Sequence, residues 1–301
     1  MFIYNSQNNY LKKKFNKKVY KIAIDCGFTC PNRDGTKGRG GCIFCSAGGS
    51  GEFAESGTNI KEQIQKAKDR IHSKVKGECG YICYFQSFTN TYAPVDMLRK
   101  LYFSVLDDNE IVAISIATRP DCISDEVFKL LGELNKKIPV WVELGLQTSN
   151  EETARLINRC YENLCYSDTV YRLKSIGIEV ITHVIIGLPN ETVTDYVNTV
   201  EFACKNGTDG IKLQLLHVLK NTRLANIDYT PLTMDEYFYA LKRCLEIIPP
   251  EVVIHRLTGD GDKKILIAPM WSADKHNVLN NLNKYMNDNN VIQGGKRSKN
   301  G

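Results

Sequence analysis

Apolar residues in the middle of the chain follow two alternating rhythms. Short runs rich in β-branched and aromatic residues, VYKIAID (19–25), YICYF (81–85), IVAISIA (111–117), VWVELGL (140–146), IEVITHVIIG (178–187) and GIKLQLLH (210–217), read as strands. IVAISIA is almost continuously apolar, as a parallel strand buried on both faces should be. Between the strands, apolar residues recur at helical spacing, as at Ile60, Ile64, Ala67 and Ile71. Thr58 or Asn59 is placed to cap that helix, which should run to about Val75. Pro94 starts a helix to about Leu106, Ser124 caps one to about Asn135, and Asn150 caps one to Ile157. Two more are expected over about 167–176 and 192–206.

Six strand–helix alternations imply an α/β domain with a parallel sheet and right-handed crossovers. The sheet could curl into an incomplete barrel or stay open and doubly wound, and periodicity does not separate the two. In either case chemistry gathers at the C-terminal ends of the strands. Beyond residue 220 the pattern changes to a helix near 233–247, a strand EVVIHRL and a helix near 274–287. The expected organisation is a basic arm (1–18), a core (19–220), an extension packed on that core (221–290) and a disordered basic tail (291–301). No internal repeat is evident.

Composition narrows the picture in three respects. No apolar run approaches the roughly 20 residues needed to span a bilayer. The N-terminus has no apolar h-region or cleavage site, so a cytoplasmic protein without membrane contact is expected. Eleven cysteines, an odd number in a chain of 301 residues, fit reduced thiols, a few as metal ligands and the rest as small buried hydrophobes. The net charge of +5 is uneven, with Lys12, Lys13, Lys14, Lys17, Lys18 and Lys21 crowded near the start. That excess permits a polyanionic partner such as RNA, and a solvated lysine-rich arm explains it equally well.

The chemistry is concentrated in TCPNRDGTKGRGGCIFC, which directly follows the first strand. Cys30, Cys42 and Cys45 stand at C-x11-C-x2-C spacing. Three thiolates can hold three irons of a [4Fe–4S] cluster and leave the fourth iron open to a small molecule. Adding Cys26 gives C-x3-C-x11-C-x2-C, four thiolates that could close a tetrahedral zinc site. Gly35, Gly38, Gly40 and Gly41 would let the backbone wrap a bulky cluster and point amides at its sulfides.

These cysteines, with Phe44 between the last two, resemble the signature of the radical S-adenosylmethionine (SAM) superfamily. The strings GFTCPNRDGTKGRGGCIFC, FQSFTNTYAP, ATRPDC, ELGLQT, HVIIGLPNET and IHRLTGDG resemble its YhcC-like branch, near the Elongator catalytic subunit and the methylthiotransferases. The resemblance covers about residues 5–287 and implies a partial (β/α)6 TIM-like barrel with N- and C-terminal extensions. It implies that the open iron chelates SAM, and that one electron from reduced flavodoxin or ferredoxin cleaves it to a 5′-deoxyadenosyl radical that takes hydrogen from a substrate. Gln86, Ser87 and Thr89 occupy the place of the superfamily's GGE-like motif, by position only. Arg159 matches an arginine that binds the SAM carboxylate, for which a fork of donors is well suited. Gly187 should let the adenine approach the backbone.

Further candidates sit near strand ends. Glu143 and Gln147 are placed as cofactor contacts, Glu143 being either a ribose or substrate contact or a buried carboxylate paired with a lysine. His183 and His217 are candidate acid–base groups, and core histidines otherwise. Lys212 and Gln214 alternate with leucines and must face a cavity or partners. His255, Arg256 and Asp260 should line the substrate end, with a structural turn as the alternative, and Lys275 is a weaker candidate. The known relatives imply tRNA as substrate, at the C5 substituent of a wobble uridine. The 301 residues hold no acetyltransferase domain, so acetyl transfer by this chain alone is not expected. The rival readings are a radical enzyme acting on a small metabolite or protein side chain, and a zinc-bearing RNA-binding or structural protein.

Overall fold

The computed structural model describes residues 4–49, 54–55, 59–73, 77–259 and 261–297. In chain order the strands are β1 (Lys18–Ile24), β2 (Cys79–Phe85), β3 (Ile111–Thr118), β4 (Val140–Gln147), β5 (Glu179–Ile186), β6 (Gly210–Leu215), β7 (Val218–Leu219), β8 (Val253–Arg256) and β9 (Leu266–Ala268). The helices are α1 (Gln7–Phe15), α2 (Ile60–His72), α3 (Val95–Ser104), α4 (Asp125–Asn135), α5 (Glu151–Leu156), α6 (Asn163–Ser175), α7 (Val193–Lys205), α8 (Met234–Leu245) and α9 (Lys275–Asp288). Their starts follow the expected capping chemistry. Asn59 accepts from the Lys61 amide and Ser124 from the Val127 amide, while Asn150 accepts from the Glu152 and Thr153 amides.

Seven strands form one parallel sheet in the order β1-β2-β3-β4-β5-β6-β8. The seventh comes from the extension, so the expected core and extension share a single sheet. Outward-facing residues such as Ile22, Phe85, Ile114, Val142, Val184 and Leu213 merge with the surrounding helices in one apolar cluster. The sheet is curled into a partial barrel of the TIM type. In a flat sheet β2 and β6 would lie about 19 Å apart, four strand spacings, yet the Lys212 ammonium sits 4.8 Å from the Tyr84 ring centre. The two short strands β7 and β9 pair antiparallel beside the main sheet.

The N-terminal arm is not free. Ser6 caps α1 and Asn16, in left-handed backbone, ends it. Leu11 joins Val19, Ile82, Ala113, Trp141 and Ile181 in a second apolar cluster, with Tyr10 and Phe15 packed against it. These residues lie at the N-terminal ends of the strands, so α1 plugs the bottom of the barrel. Lys14 pairs with Glu179 at the start of β5. The tail differs from expectation too: Val291 and Gln293 are buried. Gln293 accepts from the Asn5 amide (2.8 Å) and donates to the Pro249 and Val252 carbonyls (2.6 and 2.8 Å). Both chain ends are therefore tied to the segment leading into β8.

Candidate active site

The cysteine loop springs from the C-terminal end of β1 and is pinned on two sides. Asn158 Nδ2 donates to the Gly41 and Arg39 carbonyls (2.7 and 3.2 Å), and Asn32 Nδ2 donates to the Asn158 carbonyl (2.6 Å). The Ile43 amide donates to the Ile157 carbonyl (3.1 Å), and the Leu224 amide donates to the Ile43 carbonyl (2.9 Å). Two glycines are required by contact. A Cβ on Gly38 would lie 2.0 Å from Asn32 Oδ1, and one on Gly49, at φ +59°, 2.3 Å from the Phe88 ring.

Cys30, Cys42 and Cys45 line one cavity of about 540 Å³ at the C-terminal ends of the strands. Burial, with the neighbouring Cys45 and Cys30 thiols, pushes the Cys42 thiol up to about 12. Donors already face these sulfurs: Arg33 Nη2 lies 3.2 Å from Cys45 Sγ, and Asn32 Nδ2 lies 3.7 Å from Cys42 Sγ. Arg33 Nε is buried with no hydrogen-bond partner among the described residues, an orphan donor suited to an inorganic sulfide. Cys26 does not join them. It packs on the main core and lies outside the cavity lining, and burial pushes its thiol up to about 12. This corrects the four-thiolate zinc alternative. Among the described residues no group of three or more His, Cys, Asp and Glu is drawn together to hold a metal ion. Three thiols spaced around one cavity, with donors facing their sulfurs, instead fit a cluster, which is wider than a single ion.

Most of the other candidates line the same cavity: Gln86, Thr89, Glu143, Gln147, Arg159, His183, His217, Arg256 and Lys275. Gln147 reaches it from left-handed backbone at a bulge in β4, with its Oε1 3.0 Å from the Tyr161 hydroxyl. Gly259 packs so closely on the His217 ring that a Cβ there would lie 2.5 Å from it. Asp260 lies outside the described residues.

Five candidates depart from expectation. Arg159 has its five N–H donors engaged, by the carbonyls of Tyr161, Leu146 and Thr148, by Glu151 and by Asn163. No fork is left for a carboxylate, so Arg159 clamps its loop. Glu143 is fully buried and saturated. Its Oε1 accepts from Ser115 Oγ (2.6 Å) and Lys21, and its Oε2 accepts from His183 Nε2 (2.7 Å) and Lys212. This is the paired-carboxylate alternative: Glu143 lines the cavity with both oxygens already engaged. Gly187 faces Leu232 and Tyr229, whose hydroxyl donates to the Gly187 carbonyl (2.5 Å). Its φ of +95° serves a strand-end turn, and it is not part of the cavity wall. Ser87 is buried away from the wall. His255 lies in the bottom layer, edge-on to Trp141 (6.2 Å, 85°), because a bulge in the β6–β8 register sends Arg256 alone to the cavity.

The charged layer beneath the cavity was only partly foreseen. Lys21 on β1 and Lys212 on β6 flank the Tyr84 ring at 4.3 and 4.8 Å while sharing Glu143. Burial lowers Lys212 to about 7, outweighing Glu143, and Lys21 and Arg256 add to the lowering. Lys21 is lowered as well, first by burial. Burial and Lys212 bring His183 down to about 4, so it is a neutral imidazole that donates through Nε2 to Glu143, while Gln214 faces its Nδ1 at 3.3 Å. Arg119, in the quoted ATRPDC string, was missed. It lines the cavity, is held by Asp121 through Nε and Nη2 (2.9 and 3.0 Å), and among the described residues makes no hydrogen bond through Nη1. Tyr161 stacks between Arg119 (4.9 Å) and Arg159 (4.6 Å).

A barrel with a thiol-bearing loop above its first strand and a polar cavity at the strand ends defines a class of cofactor-dependent enzyme. Residues 30–203 match the model of the Radical SAM superfamily and residues 208–288 that of the Radical_SAM C-terminal domain. The chain belongs to the radical SAM superfamily, within its YhcC-like family, and is an enzyme whose cofactors are a [4Fe–4S] cluster and SAM. It is 46% identical over 298 residues to YtqA of Bacillus subtilis, covering 97% of this chain and 92% of YtqA. It is 34% identical over 286 residues to YhcC of Escherichia coli, covering 93% and 91%. Among solved structures it resembles archaeal Elp3 of Methanocaldococcus infernus lacking its N-terminus (TM-score 0.69, 17% identity). That match covers 91% of this chain but 64% of the Elp3 chain, and supports the fold alone. No helix among the described residues is long and apolar enough to cross a membrane.

Proposed function

We propose that this radical SAM enzyme modifies a nucleoside in tRNA, at the C5 substituent of a wobble uridine. One cavity gathers the three thiols and the polar strand-end groups, and that convergence carries the reading. When bound, the cluster and SAM supply a 5′-deoxyadenosyl radical for hydrogen abstraction. The chain's own work is to hold, orient and shield. Cys30, Cys42 and Cys45 are the cluster ligands, and Arg33 and Asn32 donate towards the ligand sulfurs. Gln86, Thr89 and Gln147 offer polar contacts for SAM. Arg119, braced by Asp121, takes the carboxylate-binding role expected of Arg159, because among the described residues its two Nη1 donors have no partner. A reduced flavodoxin or ferredoxin is the proposed electron donor and the cytoplasm the proposed location.

The tRNA assignment draws on the resemblance to the Elongator branch and on exposed cations beside the cavity. Lys37 and Arg39 are on the cysteine loop, Arg223 reaches that loop at Gly41, and Lys220 bonds the Lys264 carbonyl beyond the cavity residue Leu219. The N-terminal lysines give no support, since α1 plugs the opposite end. SAM cleavage to 5′-deoxyadenosine under dithionite tests the radical chemistry. Mass spectrometry of tRNA nucleosides from a deletion strain tests the substrate, and an unchanged profile would refute the RNA reading alone. A small anionic metabolite is the second reading, favoured by Lys212 in the cavity floor and by Lys21, which shares Glu143 with it. RNA binding, unlike that of a metabolite, should weaken steeply with salt.

A further inference from the structure

We infer that the floor of the barrel is an anion-binding subsite, formed by Lys21 and Lys212 around Glu143, that receives a carboxylate or phosphate group of the substrate. The argument begins with charge. Glu143 is one carboxylate serving two ammonium groups, and its remaining partners, Ser115 and His183, are neutral donors. Among the described residues Lys21, Lys212 and Glu143 therefore give the layer one more cation than anion when both lysines are protonated. Buried cations without full compensation are costly, and most folds avoid them or pair them. Burial first, and then the neighbouring cations, hold Lys212 near its charge transition although it touches a carboxylate.

Geometry says where relief would come from. Below the layer lies the apolar plug of Trp141, Ile181 and α1, where the nearby carboxylate Glu179 is already taken up by Lys14 and Tyr10. Above it lies the cavity, which reaches Lys212, Glu143, Tyr84 and His183 directly. An anion arriving from above meets Lys212 and Arg256. Its charge raises the affinity of both lysines for protons, so binding and full lysine protonation reinforce each other. Tyr84, clamped between the ammonium groups, fixes their separation. A substrate whose acidic end sits on this floor presents its other end towards the cysteines at the mouth of the same cavity.

The inference rests on this cavity being the radical site, and not on RNA being the substrate. Its test uses SAM-loaded holoenzyme under argon and ligand-observed NMR, with acetate, inorganic phosphate and neutral acetamide as probes at constant ionic strength. Saturable binding of acetate identifies a carboxylate site, and saturable binding of phosphate identifies a phosphate site. The affinity should fall at least about tenfold in Lys21→Met and in Lys212→Met, and recover in Lys212→Arg. Acetamide binding as well as either anion, or anion binding indifferent to both methionine variants, would overturn the subsite. Should a variant lose the cluster absorption near 400 nm, wild-type protein labelled with [13Cε]lysine decides instead. Saturating anion must then raise the titration midpoint of a buried lysine, and an unmoved midpoint refutes the proposal. Cleavage of SAM without anion binding leaves the radical reading intact. Anion binding with unchanged tRNA removes only the RNA reading.

Discussion

Replacing Glu143 by glutamine removes one charge from a layer that depends on it and nearly preserves the shape. The amide still reaches Ser115 and His183, but Lys21 and Lys212 lose the one carboxylate that pairs with them among the described residues. At an effective dielectric of 20, a pair of unit charges at 4 Å is worth about 4 kcal/mol, and breaking a buried pair from one side typically costs about 3–5 kcal/mol. The cost depends on pH in a definite direction. At pH 6 wild-type Lys212 is protonated, because its folded value is about 7, and the variant must bury that charge unpaired or expel the proton. At pH 9 Lys212 is already neutral in both proteins, so its share of the penalty is gone. The expected destabilisation is about 3–5 kcal/mol at pH 6, and it should be smaller at pH 9 by Lys212's share, with the loss at Lys21 remaining. Urea unfolding followed by far-UV circular dichroism measures both values. Adding Lys21→Met to Glu143→Gln should restore part of the loss at pH 6. Equal destabilisation at the two pH values would refute the charge argument, as would no recovery in the double variant.

Other outcomes are open to direct measurement. Cys26→Ala should keep the absorption near 400 nm after anaerobic reconstitution, whereas Cys30→Ala, Cys42→Ala and Cys45→Ala should each lose it, because Cys26 packs in the core. Arg119→Ala should weaken SAM binding about tenfold by equilibrium dialysis, the scale of one charge-assisted hydrogen bond. Arg159→Lys should instead lower the unfolding free energy measured in urea by at least about 2 kcal/mol, since buried carbonyls lose their donor. His183, with a folded value of about 4 against 6.5, stays neutral where the unfolded chain binds a proton. Stability should therefore rise with pH between 4 and 6.5, by about 3 kcal/mol over the window. His183→Gln should flatten that part of the profile, and an unchanged slope would count against a buried neutral histidine.

Much of this architecture is legible in the sequence because strand burial writes itself as apolar runs. IVAISIA and VWVELGL are read directly, as are the caps at Ser124 and Asn150. Curling is not legible that way: a strand buried on both faces has the same pattern in an open sheet and in a barrel. The signal lay in the polar residues. Lys21, Glu143, His183 and Lys212 interrupt four strands at positions facing one way along the period of two. Charges of both signs inside buried strands require a shared interior, and only a curled sheet lets β1 reach β4. Lys21 escaped notice because it stood among the lysines counted as an arm, although it belongs to the first strand. The arm itself was misjudged for a related reason. Its lysines are conspicuous, but Tyr10, Leu11 and Phe15 form the face that meets Trp141.

Arg159 and Arg119 mark a different limit, and it bears on how the site works. Matching a motif assigns a position, whereas a role requires unspent donors. Arg159 spends five on its own loop, and that loop carries Asn158, which holds the Gly41 carbonyl between two cluster cysteines. Its effect on the cofactor therefore runs through the backbone. Arg119 has its Nε and one amino group fixed by Asp121, which sets the plane of the guanidinium and leaves Nη1 as the available edge beside the thiols. The cavity thus carries cationic groups at both ends: Arg119, paired with Asp121, near the cysteines, and Lys212 with Arg256 at the floor, where Lys21 shares Glu143 from outside the wall. Two separated positive ends suit two anionic groups, one on the cofactor and one on the substrate, with the neutral His183 and Gln214 on the wall between them. Such a polarity would fix which end of the substrate faces the cluster before any chemistry begins.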